Sequence, residues 1–387
     1  MWRSGVVRSV GRAWDGSQEL SVELTVPDAA AAEAGPPTAA DQVLAPGAVV
    51  RALAYPALVG SPQVGDRVCL TVSALARGLG TGGYALVAAV PDRLPADPPA
   101  GPGHIVKARY TPLQTIVLGV DEQESPWHEA LRDADDLGGL PVVVADLHSA
   151  VPAILAGARE RARLLGRHGP RVAYVMTDGG ALPAWFSRMI AGLRSSGWLA
   201  GTITVGQAFG GDLEAVTVHS GLLAARLVLG AEVAVVAQGP GNLGTGTRWG
   251  FSGVAAGEAL NAAGTLGGRG IGALRVSGAD PRERHIGISH HSLTAYGRVA
   301  LHLSDVVVPR FGADLRDVGE RVRQQAEELT APRGRHRAVE VDTGGLLDAL
   351  SATPVGLSTM GRGLNEDPAA FLASAAAGVH AVDLLHR

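Results

Sequence analysis

The sequence predicts an α/β protein, with a doubly wound and mostly parallel sheet preceded by a small β-barrel or sandwich-like domain. Two observations predict this fold class. Up to about residue 95, short β-branched runs are separated by turn residues, whereas beyond residue 104 continuously apolar runs alternate with amphipathic stretches. A chain of 387 residues, 46% of them hydrophobic, is long enough to form more than one core.

Residues 1–95 are predicted to form the β-rich domain. Its strand candidates are Gly5–Val10, Glu19–Val26, Val49–Ala54, Arg67–Val72 and Tyr84–Val90. Gly65 and Asp66 lie between two apolar runs and predict a hairpin turn. The Ala- and Pro-rich stretch Asp28–Pro46 is predicted to be a flexible insertion, and residues 96–103, rich in Pro and Gly, are predicted to be a linker.

Residues 104–310 are predicted to form the α/β domain. Its strand candidates are Thr115–Val120, Pro141–Ala145, Arg171–Met176, Gly201–Val205, Glu232–Ala237, Gly270–Val276 and Asp305–Val308. Several are apolar throughout, as expected of parallel strands covered by helices on both faces. Residues 311–387 are predicted to be a helical extension that packs on this domain. It contains a charged helix (Asp314–Leu329), a short strand around Val339–Val341 and a closing helix (Pro368–Leu385).

Composition and charge exclude several classes of function. The net charge of −4 gives no basic field, so nucleic acid is not expected as the main partner. The single cysteine, Cys69, excludes internal disulfides and cysteine-cluster zinc sites. No apolar leader opens the chain, and charged residues interrupt its most apolar window, Leu222–Ala237. We therefore expect a cytoplasmic protein that does not act in a membrane, and a homo-oligomer is compatible with the sequence.

Lysine chemistry is restricted to one position, because Lys107 is the only lysine among 33 basic residues. A Schiff-base or phosphate-binding lysine could only be Lys107, and an exposed lysine without a role is the alternative. The chain lacks the Gly-Lys-Ser/Thr of a Walker A loop. The run Leu147–Val151 also lacks the glycines of a nucleophile elbow.

A glycine-rich loop follows the strand candidate Glu232–Ala237 and precedes a predicted helix over Val254–Thr265. Glycine amides can point into one concavity that suits a phosphate or a carboxylate. The residues predicted to bind such an anion are Gly239, Gly241, Gly244, Thr245, Gly246, Thr247 and Arg248. A purely structural turn is the alternative. A dinucleotide site is disfavoured, because the helix starts too late and no acidic residue follows at the required distance.

Histidines and acidic residues follow many of the predicted strands, where ligands bind in open α/β sheets. Asp146, Gln238 and His285 are among the residues that follow strands. The residues that we predict to be catalytic are His148, Asp178, Asp212, His290 and His291. A divalent metal ion is the expected cofactor, with His148, Asp178, Asp212 and His291 as ligands. No fixed-spacing metal motif supports this set, and each histidine taken singly could be structural.

An ordered series of motifs resembles a known family. The motifs are Arg51–Pro56, Gly78–Tyr84, Gly103–Gln114, Leu147–Ser149, Thr177–Gly179, Phe209–Glu214, the glycine loop, Asp280–His285 and Ser289–His291. In this order they resemble domain-of-unknown-function family 3866, an uncharacterised bacterial family that is common in actinobacteria. The resemblance extends over nearly the whole chain. It implies a bacterial cytoplasmic protein, and it implies neither an activity nor catalytic residues.

The leading hypothesis is an enzyme, a hydrolase or transferase, that acts on a small anionic or phosphorylated substrate at the strand-end crevice. The rivals are a non-catalytic metabolite-binding sensor and an assembly or scaffold protein. If His148, His219 and His291 do not converge with Asp178 and Asp212 in one pocket, the enzyme hypothesis loses most of its support.

Overall fold

The computed structural model describes residues 1–25, 44–79 and 82–386. Most of the predicted insertion, Asp28–Pro46, and the end of the candidate strand Glu19–Val26 lie outside these residues. The chain forms two compact units. One contains residues 1–101 and 109–115, and the other contains residues 102–108 and the chain from Ile116 onward.

The first unit is built on a closed five-stranded barrel. Its elements are β1 (Trp2–Trp14), β2 (Ser17–Leu24), β3 (Val49–Ala54), α1 (Pro56–Val59), β4 (Arg67–Thr71), α2 (Ser73–Ala76) and β5 (Ala85–Ala89). The strand order is β1-β2-β3-β5-β4, and β3 runs parallel to β5. Alternate residues of β2, such as Leu20 and Val22, fill the interior. The sequence is compatible with either a barrel or a sandwich, and the structure shows a closed barrel.

The second unit contains an eight-stranded sheet in which every neighbouring pair is parallel. Its strands, in chain order, are β8 (Pro141–Val144), β9 (Val172–Thr177), β10 (Gly201–Thr204), β11 (Leu213–Glu214), β12 (Val233–Gln238), β13 (Arg269–Ala273), β16 (Asp305–Arg310) and β17 (Arg337–Asp342). Their order in space is β11-β10-β9-β12-β8-β13-β16-β17. The predicted mostly parallel α/β fold is therefore confirmed.

Shorter strands lie outside the large sheet. They are β6 (Ile105–Lys107), β7 (Thr115–Val117), β14 (Val276–Ser277), β15 (Gly287–Ile288), β18 (Ser358–Thr359) and β19 (Arg362–Gly363). The candidate strand Thr115–Val120 is thus reduced to β7, which pairs with β6, and it meets the large sheet only through an isolated bridge from Gly119 to Glu214 of β11. The candidate Gly270–Val276 is divided between β13 and β14, because β14 leaves the sheet to pair with β15. This division leaves Arg275 in the connection between the two strands.

Helices cover both faces of the sheet. They are α3 (His128–Leu131), α4 (Val151–Leu164), α5 (Arg188–Ser195), α6 (Val218–Leu227), α7 (Ala255–Thr265), α8 (His290–Thr294), α9 (Arg316–Ala326), α10 (Leu346–Ser351) and α11 (Pro368–Leu384). Strand residues alternate between the two cores, with Val143 and Tyr174 in one and Val142 and Val175 in the other. No helix within the described ranges combines the length and apolarity needed to cross a bilayer.

The connections that leave β8 and β13 run to opposite faces of the sheet. After β8 the chain enters α4, whose Ile154 and Leu155 pack in the same core as Val143. After β13 it reaches α8 and the π-helical turn Ala295–Val299, whose Tyr296 packs in the other core. Because β8 and β13 are paired neighbours, their carboxyl ends form a topological switch point. Open α/β sheets bind ligands in the crevice at such a point.

Candidate functional site

Three histidines converge at this switch point. His285 lies on a 3₁₀ turn after β14, and His290 and His291 are the first residues of α8. One ring nitrogen from each lies within 4.8 Å of the other two. Small rotations of the rings would close this separation to the roughly 3.4 Å expected between ligand atoms of a tetrahedral zinc ion. In the part of the chain that the structure describes, these residues are the one group of three or more potential metal ligands.

Ser289 orders the local geometry of the histidines. Its side chain accepts a hydrogen bond from the His291 backbone N–H at 3.2 Å and so caps α8. The same hydroxyl lies 2.7 Å from Nδ1 of His285. This contact occupies Nδ1 and leaves Nε2 of His285 available to a metal, an arrangement typical of metal-binding histidines. Nε2 of His290 is buried and has no hydrogen-bond partner among the residues described.

All three imidazoles are held in the neutral form. Burial lowers the pKa of His285 to about 4 and that of His291 to about 3, and in both cases the Arg275 charge adds to the effect. The pKa of His290 is also lowered, first by burial and then by the charge of Arg284. A neutral imidazole has a lone pair to donate, so the cluster needs no deprotonation to bind a metal at neutral pH.

Asp146 lies beside the histidines. It follows β8, and its side chain is 2% exposed. Its Oδ2 lies 3.8 Å from Nδ1 of His291 and 3.7 Å from Nη1 of Arg275. No group in the described chain donates a hydrogen bond to this oxygen. Burial raises the pKa of the Asp146 carboxyl, and the nearby guanidinium acts in the opposite direction.

Arg275 and Phe251 complete the surroundings of His291. Nη1 of Arg275 donates to Nδ1 of His291 at 3.0 Å. The ring of Phe251 stacks on the imidazole, with centroids 3.9 Å apart and planes 1° from parallel. The hydrogen bond from Arg275 and the stacking contact with Phe251 together fix the orientation of the His291 ring.

A crevice of about 30 Å³, partly open to solvent, adjoins this cluster through Asp146 and Arg275. Its lining includes Asp146 and Arg275 at the ends of β8 and β13. It also includes Arg362, whose Nη2 donates to Asp280 at 3.1 Å and whose Nε donates to Asp367 at 3.2 Å. The guanidinium is therefore held in one place by two buried carboxylates. A hydrogen bond from Arg282 holds the pKa of Asp280 well below its usual range.

His148, predicted as a catalytic residue and metal ligand, lies in a different environment. Its Nδ1 is 2.9 Å from the Tyr174 hydroxyl, and its Nε2 is 2.7 Å from Oγ of Ser187. Both ring nitrogens are thus occupied, and burial lowers the pKa of His148 to about 4. The Ser187–His148 contact resembles a nucleophile–base pair, but Ser187 is buried as the N-cap of α5. Because both of its ring nitrogens are occupied inside the core, we assign His148 a structural role.

Asp178 and Asp212 do not join the three histidines either. Asp178 is exposed after β9, where its Oδ2 accepts from the backbone N–H of Gln207 at 2.9 Å. Asp212 accepts from the backbone and hydroxyl of Thr202 at 2.8 Å and pairs with Arg194. The chain reverses after β10 and forms β11 beside it, which returns Asp212 to the amino-terminal half of β10. Of the four predicted metal ligands, the structure brings only His291 to the cluster. His219 is exposed on α6, so the predicted convergence of His148, His219, His291, Asp178 and Asp212 in one pocket is not found, and the enzyme site as first predicted is wrong.

The glycine loop is exposed from Gly241 to Arg248, and only Gly239 is buried. Its hydroxyls bond within the loop: Oγ1 of Thr245 lies 3.0 Å from Oγ1 of Thr247, which accepts from the Gly250 backbone N–H. Gly244 bridges to Phe251, and Gly241 and Gly246 adopt positive φ. The loop therefore leads the chain to Phe251 and its stack on His291. Whether it also binds an anion stays a prediction.

The loops after β9 and β12 approach each other so closely that glycine is required at their contact. A Cβ on Gly180 would lie 2.1 Å from the Gly239 carbonyl oxygen, and a Cβ on Gly239 would lie 2.4 Å from that of Ala181. Any side chain at these positions would collide with backbone. The Gly179-Gly180 pair and the start of the glycine loop are thus required for the loops after β9 and β12 to touch.

The predicted site omitted one member of the cluster, His285, and three residues around it, Asp146, Gln238 and Arg275. Asp146, Gln238 and His285 follow strand candidates, but so do many other polar residues. Arg275 lies within the candidate strand Gly270–Val276, so the sequence did not single it out as a residue that follows a strand. The strongest available signal was the spacing of three histidines within seven residues, from His285 to His291.

Comparison with known proteins supports the resemblance. A family model described as "Protein of unknown function (DUF3866)" matches residues 51–378. The chain belongs to this family. The match covers β3 to α11 and so includes every residue of the histidine cluster in this DUF3866 protein. Among curated proteins and solved structures, none matches the chain.

Proposed function

We propose that this DUF3866 protein is a metal-dependent hydrolase that acts on a small anionic substrate. One observation carries the proposal: His285, His290 and His291 bring neutral imidazoles together beside the buried Asp146 at the switch point of the sheet. Three protein ligands with an open fourth position are the usual arrangement of a catalytic zinc site. Imidazole ligands suit several transition metals, and we expect Zn²⁺ as the resident ion.

The metal would supply a Lewis acid and a water of lowered pKa, about 7 in comparable sites. Within the chain, Nε2 of His285 and Nε2 of His290 are the nitrogens best placed to hold it. At His291 a metal on Nδ1 would replace the hydrogen bond from Arg275. Arg275 would then be released to face the crevice, where its guanidinium can bind an anionic group of the substrate.

The charge balance of the crevice favours an anionic substrate. Asp146, Asp280 and Asp367 line it together with Arg275 and Arg362, and Arg282 pairs with Asp280. Three acidic and three basic side chains balance, and the three histidines are neutral. A divalent ion would therefore leave the site with an uncompensated positive charge, which attracts a carboxylate or a phosphate. Water as the acceptor makes the reaction a hydrolysis, and a bound alcohol or amine in its place would make it a transfer.

Metal binding is the first test. The full-length protein, stripped with a chelator, should bind one equivalent of Zn²⁺ in a calorimetric titration. His290→Ala should weaken this binding at least roughly a hundredfold, because it removes a ligand. The matched control is His219→Ala, which changes an exposed histidine on α6. Absence of Zn²⁺ binding, or equal binding by His290→Ala, would contradict the proposal.

Turnover is the second test. Zinc-loaded protein should hydrolyse chromogenic probes such as p-nitrophenyl phosphate or p-nitrophenyl acetate, and chelation should abolish the activity until Zn²⁺ is restored. Tight zinc binding with no turnover of a wider panel of anionic esters would favour the metabolite sensor instead. We further expect the protein in the cytoplasm, which cell fractionation checks.

A further inference from the structure

Two buried side-chain oxygen atoms, one of them beside the histidine cluster, receive no hydrogen bond from the described chain. They are Oδ2 of Asp146 and Oε1 of Gln238. Asp146 follows β8 and Gln238 ends β12, and these strands are paired neighbours in the sheet. The two residues are 2% and 4% exposed. A buried acceptor without a donor is destabilising, so two of them on residues that line one cavity indicate a missing donor.

The orientation of the Gln238 amide is determined by its neighbours. Its Nε2 donates to the backbone oxygen of Asp146 at 2.8 Å and also to the side-chain oxygen of Asn242. Both partners are acceptors, so the nitrogen must face them and Oε1 must point the other way. Gly179 allows this placement, because a Cβ there would lie 2.3 Å from Oε1. The unsatisfied oxygen is therefore a consequence of fixed contacts.

Asp146 and Gln238 both line a small cavity of about 10 Å³. Ser252, Gly253 and the end of β9 at Thr177 contribute to the same lining. A space of this size holds about one water molecule. Water carries two protons to donate, which matches two acceptors that have none.

We propose that Asp146 and Gln238 together bind one water molecule and that this water is the nucleophile of the proposed hydrolysis. The role rests on the proposed function, since it requires a metal on the three histidines. The position suits it, because Oδ2 of Asp146 is 3.8 Å from Nδ1 of His291. A water bonded to this oxygen lies beside the metal centre, with its lone pairs directed away from both acceptors.

The chemical step balances without a further reactant. The water oxygen forms a bond to the acyl carbon or phosphorus of the substrate, and the bond from that atom to the leaving group breaks. One proton of the water passes to Oδ2 of Asp146 and then to the leaving group. Gln238 keeps the second hydrogen bond and so orients the attacking oxygen.

A crystal structure of the zinc-loaded full chain tests the water directly. We expect one ordered water within roughly 3.2 Å of both Oδ2 of Asp146 and Oε1 of Gln238. It should also lie within roughly 4 Å of the zinc ion, so that it can reach a substrate held on the metal. An empty cavity, a cation bonded to both oxygens, or a water too far from the zinc would each overturn the proposal.

Two variants of Gln238 test the function of the water. Gln238→Met removes the acceptor at similar volume, whereas Gln238→Glu keeps an acceptor oxygen. We expect Gln238→Met to bind zinc normally, to lose the ordered water and to lower kcat about a hundredfold at unchanged KM. Gln238→Glu should retain more of the activity.

Loss of zinc from Gln238→Met, or full activity without the water, would show that the assignment is wrong. A protein that binds no zinc would instead refute the proposed function, while the crystal structure would still show whether the two oxygens share a water.

Discussion

At the scale of single residues, His148 shows how a histidine at a strand end can be structural. Its two nitrogens contact Tyr174 and Ser187 inside the core, and none of its polar atoms is left for a ligand. Two residues earlier, Asp146 points into the other side of the sheet end and keeps an unsatisfied oxygen. The two residues differ because β8 ends at Val144 and His148 opens a 3₁₀ turn, so the alternation of a strand no longer holds between these positions.

The buried His148 makes stability depend on pH. Its pKa is about 4 in the folded protein and 6.5 when exposed, so the unfolded chain binds a proton first as the pH falls. The contribution of His148 is present above pH 6.5 and is lost as the pH falls towards 4, with a total of about 3 kcal/mol. In metal-free protein, we expect His148→Gln to reduce the loss of unfolding free energy between pH 7 and about pH 4.5, measured by urea titration. An unchanged pH dependence in the variant would contradict this role.

At the scale of elements, α4 and α11 pack closely because glycines stand at their contact. A Cβ on Gly157 would lie 1.9 Å from the backbone oxygen of Ala375, and a Cβ on Gly378 would lie 1.9 Å from that of Ile154. The two helices thus approach backbone to backbone. Their amino-terminal ends, with Ser149 and Asp367, line the crevice, so this packing also determines its width.

Substitution of Gly378 tests the importance of this packing. Gly378→Ala places a methyl group against backbone that cannot move independently, and we expect a loss of about 3 kcal/mol in unfolding free energy. Gly319→Ala in α9 is the matched control, because a Cβ there makes only ordinary contact with Phe311 at 3.5 Å. The control should be neutral or stabilising by up to about 1 kcal/mol. Equal effects of the two changes would show that the helices can separate at little cost.

At the scale of the whole molecule, Lys107 joins the segment of residues 102–108 to the α/β unit. Its side chain is 1% exposed, and Nζ donates to the backbone oxygens of Thr204, Ala208 and Ala215 and pairs with Glu214 at 2.9 Å. The sequence suggested an anion-binding or exposed lysine. The structure instead shows a buried cation whose charge is compensated locally, while desolvation lowers the pKa of Lys107.

A single buried lysine makes unfolding measurable by chemical labelling. An amine-reactive reagent should leave Lys107 unmodified in the native protein and should modify it only when the α/β unit opens. Peptide mass spectrometry at increasing urea concentration gives the labelled fraction. Arg77→Lys, which places a lysine at an exposed position, is the control and should react at once. Labelling of Lys107 in native protein at the rate of that control would mean that the segment detaches without unfolding.

Much of the fold could be predicted because its determinants are local. The barrel strands and most strands of the sheet are apolar or alternating runs bounded by turn residues, and such patterns specify a strand wherever it pairs. Predictions failed where the pairing of strands distant in the chain decided whether a segment joins the sheet. The candidate strand Thr115–Val120 has the composition of a sheet strand, but only Gly119 bridges to the edge of the sheet. The two-residue β11 is too short to leave a pattern in the sequence.

The sequence by itself determined the α/β fold class, the barrel-like first unit, the family and two of the three clustered histidines. Only the tertiary structure decided that β8 and β13 are neighbours, although Asp146 and Arg275 lie far apart in the chain. It also decided that His148 faces the core and that Asp212 returns along β10. The physical reason is that periodicity reports which face of an element is buried, whereas strand order results from packing between distant elements. A site at a switch point depends on strand order, so its residues converge only once the sheet has formed.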